Sequence, residues 1–382
     1  MISATPTVSV IIPAYNCDRY IVQAVESVLQ QKDCSIEIVI IDDGSTDKTE
    51  AVLKPYDDRI RYVKQTNQGV AAARNHGIAI ARGDYVAFLD ADDYFLPGKL
   101  SLQAEMLKQR PDLGIIHSGW QRVDHLGNKL LDVCPWEQIP ELDLVNWLRW
   151  KPVLPSAMMF RREWLQYVGG FDARFPPAED TNLVLKLALK GCKTAWLKRI
   201  TVCYRQHESS AMHKGLPQAR SLVAVTNDFF SQPNLPPEVR LMEHSVRHGT
   251  LVWIAWYLHY TGHQTEMAQY LQQAWNYRPN TGIETLIIWI ESFAEFARNW
   301  GVEFDANSLT NSPEWQELSR SLLPTQTTDL ESDNTLVQRP QSDNTLLQRP
   351  QSDNTLVQRP QSDNTLVQRP QSDNTLLQRP KT

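Results

Sequence analysis

No stretch of this sequence approaches the roughly 18 consecutive apolar residues that a bilayer-spanning helix needs. The longest candidate, Leu251 to Leu258, sits between His248 and His263 and reads as a buried or interfacial helix. Met1 to Thr7 contains no basic residue, and the apolar run Val8 to Ile12 behind it is too short for a signal-peptide core. These absences lead to the expectation of a cytoplasmic protein, with peripheral association at the inner membrane face left open. Cysteine is sparse: Cys17, Cys34, Cys134, Cys192 and Cys203 are scattered and form no CxxC pair. That spacing offers no soft-metal site and suits a reducing compartment. Positive charge is not in excess either, and a net charge of -6 argues against a nucleic-acid polyanion as the main partner.

What is present is enough apolar residue for a substantial core: 382 residues, 42% hydrophobic and 21% charged, make one large or two ordinary globular domains. The chain is organised around Gly83 to Asp93, where the apolar run Tyr85 to Leu89 ends in Asp90, Asp92 and Asp93. A run this short, introduced by Gly-Asp, reads as a core strand followed by a bend. Carboxylates so close together repel one another unless a cation or hydrogen-bond donors lie between them. Oxygen ligands of this kind favour Mg²⁺ or Mn²⁺, while a solvated acidic loop is the plainer alternative.

In chain order, Val8 to Ile12 is a β-branched strand stopped by Pro13, and Asp18 is placed to cap a helix with apolar positions Ile21, Ala24, Val25, Val28 and Leu29. Ile36 to Ile41 is a second apolar strand, followed by Asp42-Asp43-Gly44-Ser45-Thr46-Asp47 and a short helix. Arg61 to Val63 is a weaker third strand. Asn67-Gln68-Gly69 opens an Ala-rich helix over 70–81 that carries Arg74 and Asn75. Continuous apolar strands alternating with amphipathic helices indicate a parallel sheet covered on both faces, and ligands of such sheets gather at the carboxyl ends of the strands. Tyr15-Asn16, Asp42-Asp43 and Asp90 to Asp93 all fall at that edge.

Further on, Pro97 is placed to open a helix through Gln109, and strands are expected over Leu113 to His117, Trp120 to Asp124, Lys129 to Leu131 and Ser156 to Phe160. Ala178-Glu179-Asp180 opens a helix ending at Gly191, and Lys193 to Tyr204 supplies the last sheet elements before Arg205-Gln206-His207. Aromatic-rich helical patterns follow, among them Val239 to Tyr260 and Ile283 to Trp300. From Ser332 a ten-residue unit, Ser-Asp-Asn-Thr-Leu-(Val/Leu)-Gln-Arg-Pro-Gln, repeats to the end of the chain. With two aliphatics and a proline per unit, it cannot bury enough surface to offset ordering entropy and reads as a disordered tail. The expected domains are therefore 1–215 (a half to about 110 and a half over 111–215), a helical region over 216–325, and the repeats over 326–382.

Taken together, Val8 to Asn16, Asp42 to Asp47, Gly69 to Asn75 and Asp90-Ala91-Asp92-Asp93 resemble family 2 glycosyltransferases, over roughly residues 7–210. The resemblance implies a GT-A fold, a Rossmann-like mixed sheet with helices on both faces, and inverting transfer from a nucleotide-sugar donor. Pro13, Tyr15 and Asn16 would lie along the nucleotide, with Tyr15 against the base. Asp43, helped by Asp42, would accept from the base imide, which favours a UDP- or dTDP-sugar. Arg74 would support the nucleotide. Asp90 and Ala91 would line the ribose or a metal-bound water, and Asp92 would ligate the Mg²⁺ or Mn²⁺ bridging the phosphates, with Asp93 as a rival register and His207 as a further ligand. Gly169-Gly170-Phe171-Asp172 and Glu179-Asp180 resemble the acceptor side, where Asp180 would act as base ahead of Glu179. A plain helix-capping role for Asp180 is the competing reading.

Two other function classes compete with a transferase acting on a glycan or lipid-linked hydroxyl. One is a nucleotide-sugar- or glycan-binding module that has lost turnover, against which the intact set Asp43, Asp90, Asp92 and Asp180 speaks. The other is a nucleotidyltransferase, which would carry a Gly-rich phosphate loop where this chain has Pro13-Ala14-Tyr15-Asn16. Transfer to a lipid phosphate is a variant of the first reading. Trp120, Trp136, Trp147 and Trp150 are candidates for stacking on sugar rings or for core packing.

Overall fold

A computed structural model describes residues 7–207 and 215–323, so the ten-residue repeats lie outside the described residues. The first half alternates strand and helix: β1 (Val8–Ala14), α1 (Ile21–Leu29), β2 (Ile36–Asp42), α2 (Thr49–Leu53), β3 (Arg61–Lys64), α3 (Val70–Ile80) and β4 (Tyr85–Phe88). Then come β5 (Tyr94–Phe95), α4 (Lys99–Gln109), β6 (Leu113–Val123), β7 (Lys129–Val133), α5 (Leu144–Trp150), β8 (Met158–Arg161), α6 (Arg162–Tyr167), α7 (Glu179–Leu189) and β9 (Lys193–Arg205). Helices complete the described chain: α8 (Gly215–Phe230), α9 (Pro237–Leu241), α10 (Glu243–Tyr260), α11 (Gln264–Trp275), α12 (Gly282–Trp300), α13 (Ala306–Thr310) and α14 (Pro313–Leu322). Among the described residues no helix is long and apolar enough to cross a membrane.

The strands form one mixed sheet in the order β3-β2-β1-β4-β8-β6-β9-β5, with β7 paired to β6. The first four are parallel, as continuous apolar strands require when both faces are covered. β8 enters antiparallel between β4 and β6, so β6 and β9 run in the same direction as β4. Period-two alternation splits β1 between two cores. Val8, Val10, Ile12 and Ala14 pack with α1 and α4, whereas Ile11 faces the core shared by α3, α5, α7 and the later helices. That second core runs from Ile11 and Phe88 through Phe229 to Trp256, Trp289 and Phe293, so the helices after residue 215 continue the packing of one sheet face.

Some elements differ from expectation. The helix α1 has Tyr20 at its cap position with no side-chain cap, and the Asp18 amide instead donates to Asp47. Gly98, not Pro97, precedes α4. The two strands expected between Leu113 and Asp124 are one strand, β6 (Leu113–Val123), whose register against β9 slips on both sides of Gly119. The Val239 to Tyr260 pattern is broken at Met242 into α9 and α10. A close approach explains Gly83, where a Cβ would come within 2.6 Å of the Ser9 amide nitrogen and keep β4 from lying against β1.

Candidate active site

The carboxyl ends of β1, β2 and β4 lie side by side: Ala14 pairs with Asp42, and the Leu89 amide donates to Ile11 O at 3.0 Å. At this edge Pro13 is buried in β1, while Tyr15 is 54% exposed and free to meet a ligand. Asn16 adopts a left-handed backbone (φ 50°), and its side chain accepts from the Thr46 amide at 2.9 Å, tying the loop after β1 to the loop after β2. Asp42 is fully buried, accepting from the Ser45 amide and the Tyr62 hydroxyl. Asp43 is also buried and accepts from Gln65 Nε2 (2.8 Å), the Gln68 amide (2.9 Å) and the Gly69 amide (2.7 Å). Its carboxylate therefore fixes the segment leading into α3.

Arg74, expected to support a nucleotide, has two carboxylates as its partners in the fold. It is buried on α3, and its guanidinium forms two ion pairs of 2.7 Å, one with Asp90 after β4 and one with Glu179 at the start of α7. The adjacent Asn75 holds Phe171 at both main-chain groups, 2.8 Å each, and Gly170 has φ 71° with no room for a Cβ beside Asn75 Oδ1. Consecutive residues of α3 thus lash the acidic motif and the Gly169–Asp172 segment to the same place.

In the acidic motif Ala91 is buried, and the Asp90 amide donates to Ser156 Oγ at 3.2 Å. Asp92 and Asp93 point to different surroundings. Asp93 is 1% exposed, accepts from the Arg205 amide at 3.0 Å, and its carboxyl is pushed up by burial and by Asp92 and Asp90. The Asp92 side chain is 33% exposed and its Oδ2 lies 2.9 Å from His207 Nε2, whose ring stacks on Tyr20. Carboxylate oxygens of Asp92 and Asp90 with an imidazole suit Mg²⁺ or Mn²⁺. Among the described residues no three possible protein ligands gather at one point.

At the head of α7 the cap position is Ala178, so Asp180 is a first-turn residue and not the N-cap; its carboxylate accepts from the Thr181 amide. Asp180 is half-buried, and burial, then the neighbouring Glu179 carboxylate, push it up to about 7 against the opposing pull of Arg74. A helix N-terminus alone would do the reverse, so burial outweighs the dipole. Glu179 is 3% exposed and engaged by Arg74, which leaves Asp180 as the available carboxylate. Of the tryptophans, Trp147 is fully buried and belongs to the core, Trp120 and Trp136 are partly buried against the cores, and Trp150 is 50% exposed. Motif reading did not reveal Ser156 or the anchoring role of Arg205, because each acts through main-chain or buried contacts that leave no periodic signal.

Residues 9–169 match the model described as Glycosyl transferase family 2. Over 189 residues the chain is 31% identical to a chondroitin synthase of Escherichia coli, covering 49% of this chain and 27% of that protein. Over 145 residues it is 39% identical to an uncharacterized glycosyltransferase of Haemophilus influenzae, covering 37% and 58% respectively. The chain thus spans about a quarter of the length of the synthase it matches. Two solved structures share the fold. A mannosyltransferase from Pyrobaculum calidifontis in complex with GDP-Man and Mn²⁺ has a TM-score of 0.55 at 17% identity, covering 84% of this chain and 86% of that one. S. aureus TarS 1-349 in complex with UDP-GlcNAc has a TM-score of 0.53 at 19% identity, covering 82% and 90%. With its acidic motif on the edge of a mixed sheet of the GT-A type, this chain is similar over residues 9–169 to the glycosyl transferases of family 2.

Proposed function

We propose that the protein transfers a sugar, with inversion, from a nucleotide-sugar donor to a hydroxyl of a glycan or lipid-linked acceptor, and that UDP is the favoured nucleotide. The observation that carries this reading is the pair of ion bonds from Arg74, which sets the donor-side Asp90 and the acceptor-side Glu179-Asp180 pair against one guanidinium. The nucleotide lies along Tyr15 and Asn16, with Asp43 near the base. Residues 1–215 perform the transfer, the first 110 or so holding the donor and 111–215 the acceptor, in the cytoplasm or at the inner membrane face.

Asp180 takes the proton from the acceptor hydroxyl as its oxygen forms a bond to the anomeric carbon, and the carbon–oxygen bond to the diphosphate breaks on the opposite face. Asp92, with His207 against it, and Asp90 would hold the Mg²⁺ or Mn²⁺, while Asp93, turned inward, braces the loop. When bound, that cation supplies Lewis-acid stabilisation of the charge on the departing diphosphate.

A panel of nucleotide sugars in a thermal-shift experiment with and without Mn²⁺ tests the reading. A ligand that binds only the folded state, present at a hundred times its Kd, stabilises by about 2.7 kcal/mol. The expected result is a rise in melting temperature with a UDP-sugar that needs Mn²⁺ in the wild type and is lost in Asp92→Ala. No metal-dependent shift with any UDP-, GDP- or dTDP-sugar sinks it.

The raised Asp180 carboxyl also sets a pH dependence. A base must be ionised, so kcat/KM is expected to be maximal above pH 7 and to fall about tenfold per unit below it, with the half-point near 7. Glu179, Arg74 and Asp90 are the charged groups around it. The same shift, from an ordinary 3.8 to about 7, means the folded chain holds a proton that the unfolded chain releases, so Asp180 weakens the fold as pH rises across that window. A flat kcat/KM profile between pH 5.5 and 8 removes Asp180 as the titrating base.

A further inference from the structure

Arg205 ends β9 and is 2% exposed, yet every acceptor found for its side chain is a neutral oxygen. Nε donates to the Asp92 carbonyl at 2.9 Å, Nη1 to the carbonyls of Asp124 (3.3 Å) and His125 (3.1 Å), and Nη2 to Gln23 Oε1 at 2.6 Å. Its guanidinium carbon lies 4.6 Å from the Tyr20 ring centre and 5.4 Å from that of Tyr94. Its main-chain amide holds Asp93 Oδ1 at 3.0 Å. Two residues on, His207 reaches the Asp92 carboxylate and stacks on the same Tyr20.

One side chain therefore joins α1, the acidic loop and the β6–β7 turn. Among the described residues this buried cation is tied to carbonyl and amide oxygens and to no carboxylate, an arrangement that costs desolvation, so its geometry matters more than its charge. The planar fork of arginine meets four separated oxygens, which the single ammonium of lysine cannot reproduce.

We propose that Arg205 is a positioning residue: it grips Asp92 by its main chain so that the carboxylate is presented, together with His207, to the cation and diphosphate. The inference rests on the transferase reading above. Arg205 itself touches neither substrate nor reacting atoms.

The test uses the full chain and two probes, UDP and Mn²⁺. UDP affinity is measured by calorimetry in chelator, and Mn²⁺ affinity of the UDP-loaded protein by electron paramagnetic resonance of the free ion. Arg205→Lys is expected to raise the Mn²⁺ Kd tenfold or more and lower kcat, while metal-free UDP affinity and donor KM stay within about twofold. A general structural defect would weaken metal-free UDP binding as well, and that pattern overturns the proposal. So does an unchanged Mn²⁺ Kd in a folded Arg205→Lys protein. Should Arg205→Lys fail to fold, Gln23→Leu carries the test, because Gln23 is exposed on α1 and only the Nη2 anchor is lost. There a three- to tenfold rise in Mn²⁺ Kd supports the proposal and an unchanged value overturns it. Wild-type protein that binds neither probe defeats the transferase reading, and this inference with it.

Discussion

Asp180→Asn is expected to lower kcat by about a thousandfold, within the range ascribed to a positioned general base, while the nucleotide-sugar Kd stays within twofold. The substitution is nearly isosteric, and an asparagine oxygen can still accept from the Thr181 amide as Asp180 does. What it removes is the ability to take a proton. Neighbouring carboxylates cannot readily substitute. Glu179 is buried and its Oε1 receives an Arg74 N–H at 2.7 Å, so its charge is committed to the ion pair. Asp172 is bound by Arg174 at 2.7 Å. Steady-state transfer assays alongside calorimetric donor binding separate the two effects. An Asp180→Asn enzyme with near-normal turnover would pass the role of base to another group.

Arg74→Met is expected to destabilise the fold by roughly 3–5 kcal/mol, the cost of breaking a buried ion pair from one side. Arg74 is 5% exposed and its two partners sit 16 and 105 residues away, so its loss leaves Glu179 buried with no counter-charge. Asp90 is more accessible and solvent screens part of its share. Adding Glu179→Met should recover at least about 1 kcal/mol, because replacing both members of a buried pair by apolar groups is often neutral or better. Urea unfolding of the two variants against the wild type reads both numbers. A single variant within about 1 kcal/mol of the wild type would show that the ion pair contributes little beyond its packing.

The most legible parts of the sequence were those where a local pattern and the tertiary environment agree. The strands β1, β2 and β4 read as continuous apolar runs because both their faces are covered, and α3 because alanine permits close packing on β1 and β2. Where one residue answers to distant partners, the pattern was silent. Tyr94–Phe95 is too short to show a period and exists as a strand only because β9 pairs with it. Gly119 marks a slip between β6 and β9, which breaks the alternation and suggests two strands in place of one. The site was legible in its residue types and less so in its contacts. The residue type of Asp43 points to a base, but it gives no sign of the three donors from residues 65–69 that hold its carboxylate. The sequence pattern likewise gives no sign that the buried Arg74 has Asp90 and Glu179 as counter-charges.

The route of the chain through the acidic motif also bears on synthesis. Asp90 follows β4, near the middle of the sheet, whereas Tyr94 already belongs to the strand at its far edge, paired only with Cys203 of β9. The loop is therefore slung between an early strand and the last one. A ribosome that has made residues up to 192 has produced every carboxylate of the motif, together with Asp180, but not the strand that seats Asp93 or the histidine beside Asp92. If Asp92 and His207 serve the cation as proposed, that site cannot be completed during translation before β9 is made, and a product truncated before β9 should be inert toward nucleotide sugars even with its first four strands in place.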